Sequence, residues 1–436
     1  MLIYPASTFA EDKTRPSYLE DLRCTLMTKS IEELETEKSR LAEEMRQLDY
    51  ELDLRRGIPT TAEALKESRA YAIDAALPVE EVVQGCSDAI DRYGFCVVDN
   101  VIPVDCIGEI KREAEKAEER VEGNARAVRE GLKQGKSLEE LAKLDGIELR
   151  PVCRRGYPPK IVNDIVWLPK YAVFLANARI TAIAKAVLDD HLRIGQLHLR
   201  HISGTSEDGS PGGWFGTGRP DLRAWHTDWP HDLSAYGGGD PDTNVGCIRQ
   251  PFPDVTLGLT MIWYLTDVDE DSGGTFVVPG SHRDPRNPRG PNDGISVGSP
   301  ISGDMQIRAK AGSVFIQDSR CWHASPTHNN GEKRIAIVNR WSPWWIAVDG
   351  YASGPASSVN QVCRPLSQKE FEALPLDLQP LMRHLCPSQK DVLQQPVLVR
   401  AKAADERTKW GFRLTKEHPE KVASANDHIK VRIKPN

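Results

Sequence analysis

Short apolar stretches separated by glycine, proline and aspartate fill the chain from residue 192 to residue 341. Stretches of this length, rich in β-branched and aromatic residues and bounded by turn residues, are typical of β-strands. Many such strands in succession predict an antiparallel sandwich or barrel. The predicted strands are Leu192–Ile202, Val255–Leu265, Thr275–Val278, Met305–Ala309, Ser313–Gln317 and Arg334–Trp341.

Histidine and tryptophan concentrate in the same part of the chain. Eight of the 11 histidines lie between residues 191 and 328, and eight of the 10 tryptophans lie between residues 214 and 345. We therefore expect the functional site to lie in this part of the chain. The whole chain has 436 residues, which is enough for one elaborated domain or for two domains.

Charge and cysteine usage exclude several classes of protein. Lys and Arg number 56 against 63 Asp and Glu, so the net charge of −7 provides no basic excess for nucleic acid or an anionic membrane. No run approaches the roughly 20 apolar residues of a membrane span, and residues 1–10 lack a signal-peptide pattern. Nine cysteines without a C-x-x-C pair argue against a disulfide framework and a zinc knuckle. These features predict a cytoplasmic protein.

Residues 30–56 are predicted to form a long helix. Ser30 and Glu33 have the spacing of a capping box, and Gly57 stands where a helix-ending glycine belongs. Apolar residues repeat along this helix and form a seam, namely Ile31, Leu34, Leu41, Met45, Leu48 and Leu52. The seam can pair with a second copy, giving a homo-oligomer, or with the chain's own body.

A peroxisomal targeting signal of the form R-L-x5-Q-L also fits residues 40–48. However, the two leucines of this signal are already explained by the apolar seam of the helix.

Further helices are predicted before and between the strands. Gly123, Gly131 and Gly135 are expected to break the third of them, and a short strand is expected at residues 94–101. The four predicted helices are Thr61–Leu77, Val79–Tyr93, Ile107–Leu144 and Tyr171–Leu188.

Three copies of the pattern H-x-[DE] are candidates for a metal site. Two imidazoles and one carboxylate are the usual protein ligands of a non-haem Fe(II) oxygenase, and residues two apart on a strand project to the same side. His226-Thr-Asp228 is flanked by two tryptophans that can exclude water. His282-Arg-Asp284 lies beside Pro-Gly in a predicted turn, and His418-Pro-Glu420 lies in a polar stretch. The context favours His226 and Asp228.

A third ligand is expected from a distant strand. His323 follows an apolar strand, whereas the competing His328 lies in a predicted turn. Arg334 opens the next strand, and a buried arginine is a natural partner for a carboxylate. The alternating residues Gln196, His198 and Arg200 form a polar row that either lines a cavity or faces solvent.

Taken in order, these motifs resemble the phytanoyl-CoA dioxygenase family of Fe(II)/2-oxoglutarate oxygenases. The resemblance runs from Tyr-Gly-Phe-Cys-Val-Val-Asp-Asn-Val at 93–101, through Trp-His-Thr-Asp-Trp, to Gly-Gly-Thr-Phe-Val-Val-Pro-Gly-Ser-His at 273–282, and it ends at His323-Ala-Ser325 and Arg334. It implies an α+β fold with a mainly β core, a cupin-like double-stranded β-helix with outer helices. The expected domains are a helical N-terminal extension (1–84), an oxygenase domain (85–345) and a C-terminal extension (346–436) that packs on it.

The resemblance also implies a set of site residues. His226, Asp228 and His323 would bind Fe(II), and Arg334 would bind the distal carboxylate of the cosubstrate 2-oxoglutarate. Further cosubstrate contacts, in the order of the strength of their match to the family, are expected from Ser325, Lys160 and Gln196. Because iron halogenases replace the carboxylate ligand by a small residue, Asp228 argues against halogenation.

The implied reaction is oxidation of an unactivated C–H bond of a small-molecule metabolite with O2, giving succinate and CO2. The basic residues at 150, 154, 155 and 160 favour an anionic substrate if they border the pocket. Two alternatives are a cupin-like metal-dependent hydrolase or isomerase, and a non-catalytic assembly protein of the same fold. The hydrolase or isomerase would have no need of Arg334 or Ser325, and the assembly protein would show no cosubstrate turnover.

Overall fold

A computed structural model describes most of the chain between residues 27 and 386. It divides into two units, Met1–Leu65 and Lys66–Asn436. Within the described ranges, no helix combines the length and apolar character needed to cross a membrane. The described residues are 27–141, 143–144, 164–202, 223, 225–228, 230–231, 253–284, 286, 288, 299–324, 333–346 and 366–386.

The first unit contains helix α1, Ile31–Arg55, and the start of α2, Ala62–Ser68. The capping box is present as predicted: the Ser30 hydroxyl accepts from the Glu33 N–H, and the Glu33 carboxylate accepts from the Ser30 N–H. Satisfying two orphan donors in this way sets where the helix begins. The predicted helix at 30–56 is confirmed.

One helix of the second unit, Val104–Lys133, differs from the helix predicted at 107–144. It runs through Gly123 and Gly131 without a break and ends at Lys133, two residues before Gly135, so only the third predicted break is confirmed. A Cβ at Gly131 would lie 2.3 Å from the Leu141 side chain, so this glycine allows a close helix contact and does not break the helix. The helices are α3 (Val79–Tyr93), α4 (Val104–Lys133), α5 (Leu138–Leu141), α6 (Pro169–Leu175), α7 (Ala178–Val187), α8 (Gln368–Glu372) and α9 (Gln379–Met382).

Two other helix predictions are wrong in part. The expected helix at 61–77 stops at Ser68, because residues 72–74 pair as an edge strand with the sheet. The expected helix at 171–188 is two helices, because Asn177 leaves the helix and its side chain accepts from the Arg179 N–H to cap the second. Both outcomes depend on hydrogen bonds that compete with helix continuation.

In the described part of the chain, nine strands form two sheets. The larger sheet has the order β1-β2-β7-β4-β9-β3, in which only β1 and β2 are parallel, and the smaller sheet has the antiparallel order β6-β5-β8. This confirms the predicted α+β class with a double-stranded β-helix core. The strands are β1 (Ala72–Asp74), β2 (Phe95–Asp99), β3 (Leu192–Ile202), β4 (Leu259–Tyr264), β5 (Phe276–Val277), β6 (Met305–Gln306), β7 (Val314–Asp318), β8 (His323–Ala324) and β9 (Arg334–Pro343).

Strand register places four polar residues side by side on one face of the larger sheet. Gln196 pairs with Arg340, Arg340 with Thr260, and Thr260 with Gln317. All four are buried. Because side chains on a sheet face stand beside their cross-strand partners, this polar row forms a continuous band across β3, β9, β4 and β7. The opposite face of the same strands carries Trp263 and Asn339, which hydrogen-bond to each other.

Candidate metal centre

A two-residue bridge between distant parts of the chain brings His226 and His323 together. The His226 N–H donates to the His323 carbonyl at 3.0 Å, and the His323 N–H donates to the His226 carbonyl at 3.1 Å. His323 belongs to β8, which pairs with β5, so the bridge extends the smaller sheet. The two imidazole centroids are 4.1 Å apart.

Asp228 completes the group on the same side of the bridge. Its N–H donates to the Ser319 carbonyl at 2.7 Å, which fixes its backbone. One carboxylate oxygen, Oδ2, lies 3.5 Å from His323 Nε2. One ligand atom from each of the three residues lies within 4.8 Å of the others. Two imidazoles and a carboxylate converging at this spacing fit a divalent transition metal with open positions.

The backbone selects the tautomer of His323. Its Nδ1 lies 3.0 Å from the Cys321 carbonyl oxygen, which can only accept, so Nδ1 carries the proton. Nε2 is then left as a lone-pair donor toward the metal position. Burial lowers the pKa of His323, although Asp228 acts in the opposite direction. A hydrogen bond on the non-ligating nitrogen is the usual arrangement of a metal-binding histidine.

Three residues of the polar row hold the Asp228 carboxylate. The Arg340 guanidinium donates through Nη2 to Oδ1 at 2.6 Å, while the Thr260 hydroxyl donates to Oδ2 at 2.7 Å. Gln317 Nε2 lies 3.4 Å from Oδ2. Burial by itself raises the pKa of Asp228, but Arg340 and then the two histidines outweigh burial and hold the pKa well below its usual range. Asp228 is therefore an anion before any metal binds.

Sequence reasoning missed Arg340, Thr260 and Gln317. The sequence signal that could have identified these three residues is a polar residue at every second position of an otherwise apolar strand. That signal singled out Gln196, whose Oε1 accepts from Arg340 Nη1. His198 is fully buried beside it, with Nε2 accepting from Arg200 Nε at 2.6 Å, so the β3 row lines the interior and does not face solvent.

Arg334 is buried near the start of β9, on the same face as Arg340. Only 3 % of its surface is exposed, and its Nε has no hydrogen-bond partner. The guanidinium carbon lies 5.2 Å from the centroid of the Tyr264 ring. Burial lowers the pKa of Arg334, with Tyr264 acting in the opposite direction. Within the described ranges no carboxylate pairs with this guanidinium, which leaves it suited to an anionic ligand.

The remaining candidates lie elsewhere. His282 sits in the 3-10 turn Ser281–Arg283, where Nε2 is 3.0 Å from the Asp91 carbonyl oxygen, and Asp284 pairs with Arg286. The prediction that this H-x-D lies in a turn is confirmed. The other candidates lie outside the described residues, namely Lys160, Ser325, His328 and His418-Pro-Glu420.

An apolar wall adjoins the two histidines along the chain. Trp225, next to His226, is fully buried and packs with Phe276, Trp322 and Ala324. Its indole N–H donates to the Ser299 carbonyl at 2.7 Å, so the ring is held without an unsatisfied donor. This wall keeps water from one side of the bridge.

A family model named Phytanoyl-CoA dioxygenase (PhyH) matches residues 90–336, which include His226, Asp228, His323 and Arg334 but not Arg340. The chain belongs to the phytanoyl-CoA dioxygenase family. Membership confirms the resemblance read from the motifs. The family is one of iron- and 2-oxoglutarate-dependent oxygenases, the class that the motifs predict.

Individual relatives of this family member are distant. The uncharacterized proteins Mb1539 of Mycobacterium bovis and Rv1501 of Mycobacterium tuberculosis are each 29 % identical over 106 residues. That match spans 23 % of this chain and 36 % of each relative. The chain thus aligns with about a third of the length of these relatives.

Solved structures share only a low overall similarity with this family member. The epimerase SnoN from nogalamycin biosynthesis has a TM-score of 0.38 at 18 % identity, covering 61 % of this chain and 84 % of its own. HygX from Streptomyces hygroscopicus, solved with nickel and 2-oxoglutarate, has a TM-score of 0.36 at 15 % identity, with 60 % and 87 % covered. EctD from S. alaskensis has a TM-score of 0.36 at 19 % identity, with 62 % and 78 % covered.

Proposed function

We propose that this chain is an Fe(II)- and 2-oxoglutarate-dependent dioxygenase that oxidises an unactivated C–H bond of a small-molecule metabolite. The observation that carries the proposal is that the protein interior holds both a set of metal ligands and a buried arginine. His226, Asp228 and His323 converge on a metal position, and the buried Arg334 guanidinium is available for a carboxylate. Bound Fe(II) would supply the oxidative decarboxylation of 2-oxoglutarate and the activation of O2.

In this proposal the protein itself binds, orients and excludes water. The backbone bridge fixes the two imidazoles, and the hydrogen bond from His323 Nδ1 keeps Nε2 aimed at the metal. Three protein ligands on one side leave the opposite side for the cosubstrate and O2. The Trp225 wall limits access of water, which protects a reactive site from side reactions.

Arg334 would bind the distal carboxylate of 2-oxoglutarate. A guanidinium presents two parallel N–H donors that match a carboxylate, and burial strengthens such charge-assisted bonds. Tyr264 restrains the guanidinium through its ring. Gln196 has its Oε1 engaged by Arg340, which leaves its amide N–H groups for a ligand. The roles of Ser325 and Lys160 remain part of the proposal.

The interior favours an anionic substrate. Arg200, Arg334 and Arg340 share one face of the paired strands β3 and β9, so three guanidinium groups bring positive charge to this side of the interior. Arg200 also lies close enough to His323 to lower the pKa of that imidazole, after the larger effect of burial. A carboxylate or phosphate on the substrate would be attracted to this side of the metal position.

Two further parts of the proposal concern the protein's surroundings. Within the described residues, the cysteines at 86, 96, 106, 321 and 386 form no disulfide, which suits the reducing cytoplasm. The exposed apolar side chains of Leu41, Met45 and Leu48 on α1 would allow homo-oligomers to form. Light scattering of the full-length protein, compared with a variant carrying Leu41→Glu and Leu48→Glu, tests the second point. An unchanged mass would remove that part of the proposal.

Anaerobic reconstitution tests the central proposal. Adding Fe(II) and then 2-oxoglutarate to metal-free protein should produce a weak visible metal-to-ligand band, and O2 should then release succinate. His226→Ala should remove the band, whereas His282→Ala should retain it. A protein that binds the metal at full occupancy but shows neither band nor succinate would instead fit the hydrolase or isomerase alternative.

A screen of metabolite pools would then identify the substrate class. The readout is 2-oxoglutarate decarboxylation stimulated above the uncoupled rate, with mass spectrometry of the consumed metabolite. Anionic fractions should stimulate wild-type protein more than neutral ones, and Arg200→Gln should reduce this difference. Equal stimulation by neutral fractions would argue against an anionic substrate.

A further inference from the structure

The Arg340 guanidinium forms an ion pair with the Asp228 carboxylate. Both residues are buried, with 2 % and 1 % of their side chains exposed. Nη2 of Arg340 donates to Asp228 Oδ1 at 2.6 Å, and Nη1 donates to Gln196 Oε1. One guanidinium therefore links the metal-ligand carboxylate to the neighbouring strand β3.

The two carboxylate oxygens of Asp228 have different surroundings. Oδ1 accepts from Arg340, whereas Oδ2 accepts from the Thr260 hydroxyl at 2.7 Å and lies 3.5 Å from His323 Nε2, on the side where the ligand atoms converge. The charge-assisted bond from the guanidinium is stronger than the bond from a neutral hydroxyl, so Oδ1 is the more firmly held oxygen. Oδ2, on the side of the histidines, is then the oxygen placed to reach a metal between them.

We propose that Arg340 is a positioning residue that holds Asp228 as a one-oxygen metal ligand. The inference rests on the metal centre of the proposed function and adds to it the residue that sets how Asp228 binds. If Asp228 bound through both oxygens, it would occupy a second position on the metal. By engaging Oδ1, Arg340 keeps that position open for 2-oxoglutarate or O2.

Arginine is required here because of its geometry. Its planar fork reaches two acceptors on different elements, Asp228 and Gln196, whereas a lysine ammonium cannot present two donors with the same fixed spacing. Arg334 provides a matched control, because it lies on the same strand and the same face and is equally buried. No contact between Arg334 and Asp228 is present in the described ranges.

The experiment measures Co(II) affinity of metal-free protein by competition with a chromophoric chelator. Arg340→Gln should weaken binding about 10- to 100-fold, the usual effect of removing a group that orients a metal ligand. Arg340→Lys should fall between Arg340→Gln and wild type, and Arg334→Gln should bind Co(II) as wild type does. X-ray absorption of the Co(II)-loaded wild-type protein should show one carboxylate oxygen on the metal.

Each outcome decides a different point. Wild-type protein that fails to bind Co(II) would contradict the proposed metal centre itself. Wild-type affinity in folded Arg340→Gln, or an equal loss in Arg334→Gln, would overturn the role of Arg340 alone. A two-oxygen carboxylate in the wild-type absorption spectrum would also overturn it, and this measurement does not depend on whether the Arg340 variants fold.

Discussion

Replacing Arg334 by methionine should stabilise the cosubstrate-free protein while it removes tight binding of 2-oxoglutarate. The guanidinium is buried, its Nε has no partner, and the Tyr264 ring is its main compensation. A buried charge without a full partner costs several kcal/mol, whereas a well-packed apolar side chain of similar volume does not. A methionine side chain has three rotatable bonds, so it can follow the path of the arginine side chain and fill the space that the arginine leaves.

The two effects have different sizes. Relief of the buried charge should raise the free energy of unfolding by about 1–4 kcal/mol, less roughly 0.5–2 kcal/mol for the lost cation–π contact with Tyr264. Loss of one partner of a buried ion pair should cost about 2–5 kcal/mol of binding, or roughly 30-fold to several thousand-fold in the dissociation constant of 2-oxoglutarate. Function and stability therefore oppose each other at Arg334.

Denaturant unfolding of metal-free protein measures the first effect, and titration of the Fe(II) protein with 2-oxoglutarate measures the second. Arg340→Met is the matched comparison, because it leaves Asp228 buried and unpaired and should destabilise by about 3–5 kcal/mol. The reasoning is refuted if Arg334→Met loses about 1 kcal/mol or more of stability, or if its dissociation constant rises by less than about threefold.

Five other variants have defined outcomes in three experiments. His226→Ala should abolish Co(II) binding measured by equilibrium dialysis, whereas His282→Ala, at the rejected H-x-D, should bind Co(II) as wild type does. Gly274→Ala should destabilise by about 1–3 kcal/mol in thermal unfolding, because its Cβ would lie 2.1 Å from the Ile307 carbonyl oxygen. Gly123→Ala, with nothing within 4 Å, should instead stabilise by about 0.5–1 kcal/mol. Burial lowers the pKa of His282, so the folded state holds this ring neutral and stability should be lost as the pH falls below about 6.5. In His282→Gln, the free energy of unfolding should fall less steeply as the pH is lowered below about 6.5. An unchanged pH dependence would contradict the inference that burial of His282 causes this loss of stability.

Local patterns predicted the elements well where local forces decide them. The capping box at Ser30 and Glu33 predicts the start of α1, and the alternation at 192–202 predicts β3 with the observed bounds. The predictions were wrong where a contact with another element decides the local secondary structure. Gly131 continues its helix because Leu141 packs against it, and residues 72–74 leave the helix because β2 offers strand pairing.

The sequence by itself determined which residue types can bind a metal and in which order they occur. The H-x-D at 226–228, the histidine at 323 and the arginine at 334 follow from spacing, context and family resemblance. Only the tertiary structure decided how the three converge and which arginine contacts Asp228. Arg334 and Arg340 are both charged residues at alternate positions of one strand, and no feature of the sequence indicates that Arg340 contacts Asp228. The register of β3, β4, β7 and β9 brings Arg340 to Asp228 and leaves Arg334 available, because cross-strand neighbours are set by pairing and not by distance along the chain.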